Sequence, residues 1–142
     1  MSHGLAAYMV ELTALRAAAR APLAGPDALH ALCAAVGQRL PDEAMNPCHS
    51  SQMRELKQAI TALGGDPRLV FDNLIIGSPP VPMADGDFVS TIQAPRIARM
   101  AAAMAALDPS GQPRSIRRAL QQIQHWYTTA AAQQRALVII DS

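Results

Sequence analysis

Large aromatic side chains are scarce in this chain, with one Trp, two Tyr and two Phe among 142 residues. Its core must therefore be filled by Ala, Leu, Ile, Val and Met, and a single-stranded nucleic acid would find few rings on which to stack its bases. Cysteine is nearly absent too. Cys33 and Cys48 are the only two, which excludes a disulfide framework. Charged residues make up only 16% while half the chain is apolar, a balance too hydrophobic for a disordered segment. No apolar run approaches the roughly 20 residues needed to span a bilayer. Met1, Ser2 and His3 open no basic and apolar leader of the secretory kind. A formal net charge of +1 supplies no global attraction to nucleic acid or an anionic membrane. These absences lead to the expectation of a cytoplasmic protein with reduced thiols and no cofactor.

What is present patterns well. The length fits one ordinary domain over 1–142, large enough to bury about two-thirds of its unfolded surface. LAAYMVEL (5–12) reads as a strand, and Thr13 offers a cap to the short helical segment after it. Pro26 and Asp27 open a helix in which Leu29, Leu32, Cys33, Val36 and Leu40 recur at helical spacing. Ser50 or Ser51 can cap the next helix, whose inner face is Met53, Leu56, Ile60 and Leu63, with Gly64 and Gly65 closing it. RLVFDNLIIG (68–77) reads as a β-type pair or ribbon bent at Asp72 and Asn73, and SPPVPMADGD (78–87) as a loop. A helix follows Pro95 with Ile97, Met100, Met104 and Leu107 inward. A longer one runs from about Arg114 to Gln134, and ALVIIDS closes on a strand. This order predicts an α+β fold, a single two-layer domain. Its small mixed sheet includes both terminal strands and is packed by about five helices.

Reactive side chains sit side by side only in NPCHSS (46–51). A thiolate at Cys48 could draw on the helix start that follows, with His49 as its base. Against that, neighbours in sequence generally point apart, and a cap role for the serines explains the stretch. His30 and Cys33, three residues apart on one helix, would complete a Cys2His2 set with Cys48 and His49. The spacing matches no zinc module, so no metal site is assigned. Asp85 and Asp87 read as turn-forming acids.

The charge distribution is more informative than its total. From Thr91 to Arg135 there are six arginines against one acid, Asp108. Arg96 and Arg99 share the outer face of one helix, and Arg114, Arg117, Arg118 and His125 that of the next. Together they form the candidate binding surface, suited to a phosphate or an acidic protein face. Trp126 is an interface anchor if exposed and a core residue using its N–H locally if not.

Three stretches resemble one bacterial family. GLAAYMVELTALRAA at the start, IGSPPVP with FVSTIQAPRIARMAAAMAAL in the middle, and QQIQHWYTTAAAQQRALVIIDS at the end are similar in order and pattern to the YfbM-like domains. The resemblance spans most of the chain, with residues 41–66 matching least. It implies a single-domain cytosolic α+β protein without an assigned activity, and it transfers no catalytic residue.

The leading expectation is a non-enzymatic protein-binding domain of immunity or accessory type, with a protein partner and neither nucleic acid nor membrane. An exposed face of a terminal strand would also offer a route to a homodimer. Two alternatives stand beside it. One is a small hydrolase or transferase built on Cys48. The other is a small-molecule or nucleotide-binding domain that uses the 77–90 loop and the arginines.

Overall fold

The computed structural model describes residues 4–70 and 77–142. In chain order the elements are β1 (Leu5–Val10), α1 (Leu12–Ala18), α2 (Pro26–Val36), β2 (Gln38–Arg39) and α3 (Ser50–Ala62). A 3-10 turn (Pro67–Leu69), β3 (Val89–Ile92), α4 (Ala94–Ala105), a second 3-10 turn (Pro109–Gly111), α5 (Arg114–Ala132) and β4 (Ala136–Asp141) follow among the described residues. The fold is α+β, with five helices among the described residues and both terminal strands in one sheet, as expected.

The strands lie in the order β2-β1-β4-β3. Among the described residues each pairing is antiparallel, where the sequence predicts a mixed sheet; β1 and β4 run in register from Leu5 opposite Asp141 to Val10 opposite Ala136. Outside the strands, Gly4 and Ser142 exchange two backbone hydrogen bonds of 2.8 and 3.0 Å.

Helices cover both faces, giving three layers rather than two. Alternation along the strands sorts the side chains. Leu5, Ala7, Met9, Leu137 and Ile139 join the larger core with α3, α4 and α5. Ala6, Tyr8, Val10, Val138 and Ile140 face α1 and α2, where Leu15, Leu29 and Cys33 close a second core. Double coverage explains why β4 has no polar interruption from Ala136 to Ile140, since every side chain there is buried. Each such Leu or Ile contributes about 1.5–3 kcal/mol by leaving water.

Helix ends follow their chemistry. Pro26 occupies the start of α2 with Asp27 in its first turn. At the other end Gly37 is required by close approach, because an added Cβ would lie 2.5 Å from Val10 Cγ1 and 2.7 Å from the Met9 carbonyl oxygen. Beyond α3, the Gly64 N–H reaches the Thr61 carbonyl and the Gly65 N–H that of Ile60, with Gly64 at φ 84. That pairing is the Schellman closure expected of the two glycines. The caps at helix starts differ from expectation. α1 begins two residues earlier than a Thr13 cap would set and α3 one earlier than a Ser50 cap would, so Glu11 and His49 hold the cap positions and neither makes a side-chain cap bond.

The β-type reading of 68–77 fails at its start. Asp66 accepts the Arg68 N–H at 2.9 Å and turns the chain into the 3-10 turn, and residues 71–76, including Asp72 and Asn73, lie outside the described residues. Among the described residues the strand that pairs with the outer side of β4 is Val89–Ile92. Ser78 braces its outer edge, accepting the Thr91 N–H on Oγ at 2.8 Å and the Thr91 hydroxyl on its carbonyl at 2.5 Å. The proline-rich loop beyond Ser78 is tied to the α1–α2 connection. Leu23 N–H donates to the Pro82 carbonyl, and Ala84 N–H to that of Leu23. Among the described residues no helix is long and apolar enough to cross a membrane.

Candidate functional site

Cys48 and His49 do not form a pair. The Cys48 side chain is fully buried and His49 is exposed. Burial, with Asp141 adding to it, pushes the Cys48 thiol up to about 11, so the group is a core hydrophobe rather than a thiolate. Its S–H points at the His49 carbonyl, 3.8 Å away. Cys33 is equally buried, and burial pushes its thiol up to about 12. The two cysteines also belong to different cores, one on each face of the sheet. His30, Cys33, Cys48 and His49 are thus not brought together, and no cluster of three potential metal ligands occurs among the described residues.

His30 has another role, one with no local signature in the sequence. Its Nδ1 lies 2.9 Å from the Tyr8 hydroxyl and its Nε2 3.4 Å from Ser142 Oγ. The Tyr8 ring meets it edge to face at 5.6 Å, and the Arg39 guanidinium stands 5.8 Å from the Tyr8 ring centre. Arg39 is in turn held by Asp42 at 2.6 Å.

Trp126 is buried, so it is a core residue and not an interface anchor. Its Nε1–H donates to the Pro41 carbonyl at 2.6 Å. One turn earlier Gln122 accepts the Ala44 N–H at 2.7 Å and donates to Glu43 at 2.8 Å. The 41–45 loop is therefore clamped onto α5. The Glu43 carboxyl is held below its ordinary range by its own N–H, then by Gln122, with the Arg118 charge adding to both.

The arginines divide into two groups. Arg96 lies close enough to Tyr127 for its charge to act on that phenol, although burial dominates there and raises it. Arg118 and Arg114 come 9 and 13 residues before Tyr127 in α5, about 14–20 Å away along the helix. The single surface expected from sequence is two patches. Arg114 and Arg118 are exposed at the start of α5, with Arg117 half-buried. His125, two turns on, faces Thr129 Oγ1 at 3.5 Å.

The second patch is better defined. Arg96 and Arg99 are exposed one turn apart on α4 and form the ridge between two depressions. One, about 430 Å³, is bordered by Asp66, Arg68, Leu69 and Met100. The other, about 250 Å³, is bordered by Thr91, Gln93 and Pro95. The fold builds this ridge by turning Ile97, Met100 and Met104 into the core, which leaves positions 96 and 99 on the opposite side. Arg68 is held by Asp66 at 2.7 Å. Among the described residues Arg96 and Arg99 make no ion pair. Thr91 and Gln93, absent from the sequence-based site, enter it because β3 runs directly into α4.

Asp85 and Asp87 form the expected turn, with the Asp87 N–H donating to Asp85 Oδ1 at 3.0 Å. No curated protein and no solved structure matches the chain. A family model does, over residues 26–140, from the first residue of α2 almost to the end of β4. The chain belongs to that family, a domain of unknown function (DUF7691).

Proposed function

We propose that the chain is a non-enzymatic protein-binding domain of immunity or accessory type, acting in the cytoplasm through the exposed face of α4. The observation that carries this reading is the Arg96–Arg99 ridge, two exposed guanidinium groups without an ion pair among the described residues, flanked by open depressions. Guanidinium groups so placed favour a carboxylate-bearing or otherwise anionic face of a partner. The burial of Cys48 removes the main support for a thiol enzyme. The resemblance to YfbM-like domains, which brings no catalytic residue, is compatible with the same role.

The test is affinity capture from the native cell, comparing wild type with Arg96→Glu/Arg99→Glu and with Arg114→Glu/Arg118→Glu. A partner retained by wild type, lost in the α4 variant and kept by the α5 variant is the expected result. Retention indifferent to Arg96 and Arg99, in variants whose circular dichroism matches wild type, would assign contact to another surface. Capture of nothing would remove the binding reading.

A further inference from the structure

The two depressions beside the ridge differ in charge. The larger includes Asp66, whose carboxylate is already engaged by Arg68 through two charge-assisted hydrogen bonds to Oδ2 of 3.1 and 2.7 Å. Among the described residues no carboxylate borders the smaller one, which is lined there by Thr91, Gln93, Pro95, Arg96 and Arg99. The Thr91 hydroxyl donates to the Ser78 carbonyl, which fixes its position at the border of this space. Gln93, exposed at the end of β3, presents an amide with two N–H donors. Two guanidinium groups and one primary amide thus surround a space of about 250 Å³ with donors.

We infer that this depression is a binding site for a phosphate monoester dianion, held between Arg96 and Arg99 with Gln93 as a further donor. The inference rests on the same α4 face as the proposed protein-binding role and specifies the chemistry read there. A carboxylate carries one charge and two acceptor oxygens. A phosphate monoester carries about 1.5–2 charges near pH 7 and three acceptor oxygens. Two guanidinium groups one helical turn apart match the second in both charge and donor number. The same chemistry is found on a phosphorylated side chain of a partner protein and on a free small phosphate ester, and binding data can separate these sources.

The experiment follows the arginine Nε–Hε and backbone NMR signals of the intact chain at fixed ionic strength. The probes are a short neutral peptide carrying phosphoserine, the same peptide with Glu or Ser in that place, and free O-phosphoserine. Saturable shifts centred on Arg96, Arg99 and Gln93 are expected, with the phosphopeptide at least tenfold tighter than its Glu counterpart. That response should vanish in R96Q/R99Q and survive in R114Q/R118Q. Equal binding of phosphopeptide and free O-phosphoserine would identify a small ester as the source, and tighter peptide binding a phosphorylated partner. Glu binding as tightly as phosphoserine, binding that survives R96Q/R99Q, or no saturable shift with any probe would overturn the inference. Phosphatase treatment of the lysate separates the two readings. A captured partner that needs Arg96 and Arg99 but ignores phosphatase sinks the phosphate site and leaves the binding role. Saturable phosphate shifts without any captured partner do the reverse.

Discussion

The Tyr8 hydroxyl and His30 Nδ1 meet at 2.9 Å, joining the inner strand β1 to the helix that covers it. Tyr8 is only 2% exposed, so its hydroxyl depends on that partner rather than on bulk water. Burial of His30, aided by the Arg39 charge and opposed by Asp27 and Asp42, holds the imidazole below its usual 6.5.

A pH dependence of stability follows. The folded ring binds a proton less readily than the unfolded one, so below pH 6.5 the unfolded state holds more protons. Stability should therefore fall as pH drops through 6.5 and level off below the folded value. Urea titrations between pH 5 and 8 would show this fall in wild type and a flatter profile in His30→Gln, which keeps an acceptor for Tyr8. Parallel profiles would show that His30 titrates alike in both states.

Both thiols should be slow. With Cys48 pushed up to about 11 from 9.0 and Cys33 to about 12, the native thiolate fraction at pH 8 falls about a hundredfold or more. Iodoacetamide labelling followed by mass spectrometry should find neither cysteine modified until urea unfolds the chain. Rapid labelling of Cys48 alone would restore the thiol-enzyme reading.

Removing the Gln122 side chain should loosen the 41–45 loop. Gln122→Ala deprives the Ala44 N–H of its acceptor, a loss of about 1–3 kcal/mol if the donor stays dry. Trp126, the one tryptophan and wholly buried, reports unfolding by a red shift of its emission. An unchanged urea midpoint would mean that water replaces the glutamine.

The end of α5 offers a gain. Gln134 sits at φ 54, where its N–H reaches the Ala131 carbonyl and the Arg135 N–H that of Ala130. That left-handed position costs an L-residue roughly 1 kcal/mol and suits glycine. Gln134→Gly should raise Tm by roughly 2–4 °C, while Gly64→Ala, at φ 84, should lower it by a similar amount. Calorimetry on both variants decides the matter, and a fall in Tm with Gln134→Gly would count against it.

The helices were legible because apolar spacing is a local property. Leu29 and Cys33 in α2, Met53, Leu56 and Ile60 in α3, and Ile116 to Ala130 in α5 face inward as their periodicity requires. Strand β3 escaped because four residues carry little pattern, while Leu69 and Val70 looked extended until Asp66 and Pro67 turned them. The separation of Cys33 from Cys48 depends on sheet alternation and on which helices cover which face. Neither is written near either cysteine. The split of the arginines likewise follows from how α4 lies on α5. The Tyr8–His30 contact joins residues 22 apart with no motif to announce it.

The pairing of β1 with β4 sets an order of events during synthesis. β1 is made well before its long partner β4, and its other neighbour, β2, offers only two residues. While the intervening helices emerge, β1 carries an unpaired apolar edge of the kind that recruits other chains. Completion of the sheet waits on residues 136–141, so a ribosome that stalls before them releases helices and a strand without the partner that holds both cores together.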